Sequence, residues 1–190
     1  MKANRPKNQL RIIGGAWRGR KLTFTPGPGL RPTADRVRET LFNWLAPVIH
    51  GARCLDLYAG SGALGLEAAS RGAAEVVLVD AAAQVVSSLR EQVAILNAVQ
   101  VQVVQSDVSQ WLSGQGQGRS PHFDIVFLDP PFHEHLLPGD MEQLEQGGWL
   151  SDAAWIYIEA EKSMQLELPG NWQVYREKQA GEIGYSLVRR

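Results

Sequence analysis

The chain of 190 residues contains one cysteine, Cys54, and that scarcity excludes a disulfide framework. Set inside an apolar run, Cys54 reads as core filler rather than a nucleophile. No apolar stretch is long enough to span a bilayer. None follows Lys2 and Arg5 in the way a secretory leader requires, so a cytoplasmic protein is expected. Histidines number four, and the pair His133 and His135 has no evident third ligand, so no metal is expected. Neither sign of charge dominates: 20 acidic residues against 19 Lys and Arg leave a net charge of −1. What is present is a hydrophobic content of 44%, ordinary for a globular protein and enough at this length for one core without staples.

The most informative residues are Asp129, Pro130, Pro131 and Phe132, which follow the buried-strand run 123–128. Ligands of open α/β sheets bind at the carboxyl ends of strands. Two prolines stiffen the segment and restrict the residue before them. The result is a rigid arm that presents a carboxylate, backbone carbonyls and a ring, a set suited to a planar base bearing an exocyclic amine.

A second motif spans residues 53–66. A short apolar strand ends at Asp56, a turn containing Gly60 and Gly62 follows, and a helix begins near Ala63. Glycines let backbone approach a ligand, and the helix N-terminus favours negative charge. Residues 75–80 form a second strand ending in Asp80, placed to accept from the two hydroxyls of a ribose. A third, 101–104, is followed by Ser106, Asp107 and Val108. Three successive strand ends thus line one sheet edge with acids.

Two cofactors compete for that edge. Gly60, Gly62 and Gly65, with Asp80 further on, also satisfy the dinucleotide pattern G-x-G-x-x-G. Asp56 would then lie beneath a pyrophosphate, where a further negative charge is unfavourable. S-adenosylmethionine has an ammonium, a sulfonium and a ribose but no phosphate, and it ranks first.

The scaffold reads as an α/β chain. Residues 10–13 and 21–24 form a hairpin, Pro26, Pro28 and Pro32 stiffen a loop, and Thr33 caps a helix whose Val37, Leu41, Trp44 and Leu45 share a face. Helices are expected over 63–71, around Val85 to Leu96, and over 136–146. A fifth strand covers 155–159, and strands 172–176 and 183–188 form a closing hairpin around Gly181. Alternating β and α elements indicate a doubly wound sheet. The chain divides into a basic extension, 1–47, and a single compact unit, 48–190.

Charge is unevenly distributed. Residues 1–38 hold ten Lys and Arg against Asp35 alone, a net +9, which leaves −10 on the rest. Such asymmetry points to a polyanionic partner, because Lys and Arg that neutralise phosphates gain affinity by counterion release. Residues 11–38 are therefore expected to form a flap that holds a polyanion, with Arg11, Arg18, Arg20, Lys21, Arg31, Thr33 and Arg36 in contact.

Residues 56–62, Asp80, Asp107 and the Asp-Pro-Pro-Phe arm resemble those of class I, Rossmann-like S-adenosylmethionine-dependent methyltransferases that act on amino nitrogens. With the stretches 11–22, 31–44 and 55–73, nearly the whole chain is similar to the RsmD family, which methylates the N2 amine of a guanine in bacterial 16S ribosomal RNA. The resemblance implies a mostly parallel seven-stranded sheet whose last strand is antiparallel, behind the N-terminal hairpin and helix. It implies a cofactor site of Asp56, Tyr58, Gly60, Ser61 and Gly62, completed by Asp80, Ala81, Asp107, Val108 and Arg38. Asp129, Pro130, Pro131 and Phe132 would be catalytic, and the partner would be ribosomal RNA or the small ribosomal particle, bound by a monomer without metal or membrane. Alternatives are an adenine-N6 methyltransferase, a glutamine methyltransferase acting on a release factor, and a non-catalytic RNA-binding module that retains a relic cofactor site.

Overall fold

A computed structural model describes residues 9–24, 33–115, 122–131 and 135–190. Phe132, Arg31, His133, the loop prolines 26, 28 and 32, and the segment 1–8 lie outside these residues. A two-stranded hairpin, β1 (Gln9–Arg11) and β2 (Lys21–Thr23), precedes α1 (Asp35–Leu45). Then β3 (Arg53–Asp56), α2 (Gly65–Ser70), β4 (Glu75–Asp80), α3 (Ala83–Leu96), β5 (Val101–Gln105), α4 (Val108–Gln115) and β6 (Phe123–Leu128) alternate. The chain closes with α5 (Leu137–Gln146), β7 (Leu150–Glu161), β8 (Gln173–Ala180) and β9 (Ile183–Arg189).

Seven strands form one sheet in the order β5-β4-β3-β6-β7-β9-β8. The first five are parallel, and β9 runs antiparallel to both β7 and β8. Period-two alternation sorts the strand side chains into two layers. Cys54, Val76, Leu78, Ile125, Phe127 and Tyr157 face α1, α2 and α3. Leu55, Val77, Val79, Val126, Leu128 and Ile156 face α4 and α5. Both faces are buried, which is why these strands are continuous apolar runs. Leu10, Ile12, Leu22, Val37, Leu41 and Leu45 join Cys54 and Leu66 in the first layer, so a single core spans both sides of residue 47.

Several local features depart from the sequence reading, among them α4, which it did not expect, and the extension of β8 from residue 176 to Ala180. Helix α2 begins at Gly65 rather than Ala63, because positive φ at Gly60 and Gly62 (50° and 77°) prolongs the turn. Strand β7 is twelve residues long, the extra residues lying before Trp155, where its pairing with β6 shifts register. Thr33 does not cap α1: the N-cap is Ala34, without a side-chain bond.

Candidate active site

Chain order runs outward from β3 to β5 and then returns to β6 on the other side, so the sheet reverses direction between β3 and β6. Such a switch point opens a crevice at the strand ends. Asp56 and Asp129 stand on its two sides.

Asp56 is nearly fully buried, and its Oδ2 accepts the Gly65 N–H at 2.9 Å. The carboxyl thus secures the first residue of α2 at the sheet. Burial pushes its pKa up to about 7, helped by the charge of Asp80, while the amides of Gly65 and Tyr58 pull it down. Asp80 is half-buried and bridges the glycine turn to the loop before α3: Oδ2 accepts from Gly60 N–H (3.0 Å) and Oδ1 from Ala82 N–H (2.9 Å). A carboxylate has further lone pairs for ribose hydroxyls. Asp107 is exposed and accepts from Gln110 N–H, closing the first turn of α4, while Val108 is buried beneath it. Tyr58 donates its hydroxyl to Asp140 of α5 at 2.5 Å. Burial, opposed by that bond and aided by Asp107, raises Asp140 to about 6.

On the other side, Asp129 Oδ2 accepts the hydroxyl of Thr33 at 3.1 Å. Thr33 was expected at the RNA surface, but it is buried, its hydroxyl donated to this carboxylate rather than accepting from the N–H groups of the helix terminus. Burial pushes Asp129 well above the usual carboxylate range, Glu159 and Asp56 push it further, and Thr33 opposes. Glu159, buried near the end of β7, is itself raised by burial and accepts the Tyr157 hydroxyl at 2.7 Å. A small, shallow pocket lies beside Glu159, walled by Pro130, Pro131, Leu136, Glu159 and Met164.

Arg38 is not at the cofactor crevice, although the family resemblance implied it. It is fully buried, donating to Arg11 O (3.0 Å) and Asp35 Oδ1 (2.7 Å), with Glu67 3.6 Å away. Glu67, absent from the sequence reading, is the hub of this region. It accepts from Ile13 N–H, Gly14 N–H and Arg71 Nε at 2.7–2.8 Å and so fixes the hairpin to α2. The available signal was an acid among the small apolar residues of α2. Arg18, Arg20, Lys21 and Arg36 are exposed, as is Arg11, which lies 3.6 Å from Asp35. No group of acids, histidines and thiols able to hold a metal occurs among the described residues. None of the helices there is long and apolar enough to cross a membrane.

The donor set fits S-adenosylmethionine: acids at three adjacent strand ends, a glycine turn bridged by one of them, and no cluster of cations there to receive a pyrophosphate. Comparison with known proteins agrees. A family described as conserved hypothetical protein 95 matches residues 10–189. Ribosomal RNA small subunit methyltransferase D of Escherichia coli (strain K12) is 52% identical over 183 residues, covering 96% of this chain and 90% of the relative. The protein of the same name from Haemophilus influenzae is 45% identical, with 96% and 95% covered. Among solved structures, the putative methyltransferase yhhF from Escherichia coli superposes with a TM-score of 0.86 at 51% identity, covering 96% of this chain and 98% of that one. A putative methyltransferase complexed with SAH, 16% identical, shares the fold at a TM-score of 0.70, covering 100% of this chain and 58% of that one.

Proposed function

The chain belongs to the conserved hypothetical protein 95 family, that of the ribosomal RNA small subunit methyltransferases D, and from that membership we propose that it methylates the exocyclic N2 amine of a guanine in small-subunit ribosomal RNA. The observation that carries the proposal is Asp129, half-buried at the end of β6 beside the switch point and continued by two prolines.

S-adenosylmethionine, when bound, supplies an electrophilic methyl group on a sulfonium. Asp80 accepts the ribose hydroxyls, Gly60 and Gly62 leave room for close backbone approach, and Tyr58, Ser61, Ala81, Asp107 and Val108 complete the wall. Asp56 holds the glycine turn and α2 in register and places negative charge beneath the cationic end of the cofactor. Asp129 and the Pro130 carbonyl accept from the two N–H groups of the target amine, turning its lone pair out of conjugation with the ring. Orientation of this kind is worth up to about 7–11 kcal/mol. Transfer would break the sulfonium's S–CH3 bond and leave a neutral thioether, and the amine proton, acidic only once the new N–C bond has formed, would leave to Asp129, whose raised pKa makes it a better acceptor than an exposed aspartate. Phe132 supplies the stacking ring, and the base reaches the arm unstacked from its RNA. Arg11, Arg18, Arg20, Lys21 and Arg36, with Arg31, hold phosphates.

The test is transfer of labelled methyl to small-subunit particles, naked ribosomal RNA, DNA and protein, followed by nucleoside digestion. Label in N2-methylguanosine is expected. Label in N6-methyladenine or in protein, or none at all, would overturn the reading.

A further inference from the structure

The outer part of the sheet carries a surface that the catalytic crevice does not use. Strand β8 is an edge strand exposed along its whole length, with Val174 and Tyr175 half-exposed despite their apolar character. On the face shared with α1, cations lie over rings: Arg176 over Tyr175 (5.1 Å), Arg189 over Trp155 (5.6 Å) and Lys178 over Trp44 (5.9 Å). The rings are themselves coupled. Trp155 meets Tyr175 edge-on at 5.0 Å, and Trp44 stacks on Tyr185 at 5.7 Å. None of the three cations forms an ion pair among the described residues.

Two backbone features create this arrangement. A bulge between Val174 and Arg176 turns Tyr175 towards Trp155. Alternation then places Glu177 on the opposite face from Arg176 and Lys178, so this side of β8 is free of acids. The face also runs on to the crevice. Glu159 pairs with Tyr185, and Tyr185 with Lys178, so Lys178 lies two strands, about 10 Å, from the residue that walls the pocket beside the arm.

We propose that this face is a second RNA-binding surface, which takes the unpaired nucleotides flanking the target base. The proposal rests on the reading of the protein as an RNA methyltransferase. Unpaired cations interleaved with rings, Tyr175 exposed and Trp44 and Trp155 half-buried, are the pairing that single-stranded RNA needs: phosphates for the charges and base faces for the rings. A protein strand adding to β8 fits less well, because alternating charged side chains blunt an edge.

The test uses the full chain and two variants, the triple Arg176→Ala/Lys178→Ala/Arg189→Ala and the single Tyr175→Ala. Affinity for a single-stranded RNA oligonucleotide and for naked 16S RNA is measured at several salt concentrations, with S-adenosylmethionine affinity as the control. The triple variant should lower the log–log salt slope by about 2, from about 0.7 for each of three phosphates. Tyr175→Ala should weaken RNA binding about fivefold or more with the slope kept, since a ring carries no charge. Cofactor affinity should stay within about twofold, and the RNA KM should rise with kcat kept. Variants that bind naked RNA like the parent overturn the proposal, including the case in which they lose only protein-containing particles, which would mark a protein dock. A parent chain that binds the small-subunit particle but no naked RNA overturns this proposal alone, and one that binds neither overturns the functional reading with it.

Discussion

Half-buried Asp129 and buried Glu159 are carboxyls that resist ionising together, so their titration is the first property to probe. Glu159→Gln keeps an acceptor for Tyr157 but removes the charge that helps to raise Asp129. The acid limb of the kcat/KM profile against pH should therefore move to lower pH; an unmoved limb would mean that the two groups are uncoupled in the working enzyme. Asp129→Ala should cost about 10²-fold or more in kcat while S-adenosylmethionine affinity by calorimetry stays within about twofold. The sequence made Asp129 legible because the prolines after it are unmistakable, yet it gave Glu159 no significance. Alternation puts Glu159 on the face of Trp155 and Tyr157, but its place beside the arm depends on the parallel register that pairs Leu128 with Ile158. Thr33 is a similar case. A hydroxyl before a helix is an ordinary cap signal, and here it was overridden by a carboxylate 96 residues away.

Among elements, the β1–β2 hairpin is fixed above all by one side chain, with Ser70, Arg38 and Gln92 adding further bonds. Glu67→Ala would strip acceptors from Ile13 and Gly14 and leave buried Arg38 with Asp35 as its remaining carboxylate partner. A loss of about 3–5 kcal/mol in urea unfolding is expected, with faster amide exchange at Ile13 and Gly14. Parent-like exchange at those amides would show that apolar packing of Leu10, Ile12 and Leu22 is sufficient. The basic exterior of the same hairpin can be tested separately. Alanine at Arg18, Arg20 and Lys21 should flatten the salt dependence of RNA binding and leave cofactor affinity unchanged; an unaltered slope would make this a merely solvated surface. The hairpin and the inner sheet strands were visible as apolar runs, whereas β8 is polar and exposed throughout. The pinning was not, because its donors and acceptor are more than fifty residues apart.

For the whole molecule, the buried acids set an uncommon pH response. Asp56 (about 7), Asp140 (about 6), Asp129 and Glu159 all have raised folded pKa values. The folded state therefore holds more protons than the unfolded one; the stability from Asp56 and Asp140, complete below about pH 4, is lost as pH rises through 6 to 7, and Asp129 and Glu159 act in the same direction. Glu145, lowered to about 2 by Arg190, acts oppositely: its contribution is kept above pH 4.5 and lost only as pH falls towards 2. The ligand-free protein should melt at a higher temperature at pH 5 than at pH 8. Asp56→Asn should reduce the difference, since Asp56 alone accounts for up to something on the order of 4 kcal/mol. A Tm that rises from pH 5 to 8 would refute the assignment. One feature of the sheet order bears on biosynthesis. β8 precedes β9 in the chain but lies outside it, so a nascent β8 has no strand to pair with until β9 has emerged and slotted in beside β7. Until then its Val174 and Tyr175 and a bare β7 edge stand open together, and the growing chain is most prone to wrong pairing during that interval.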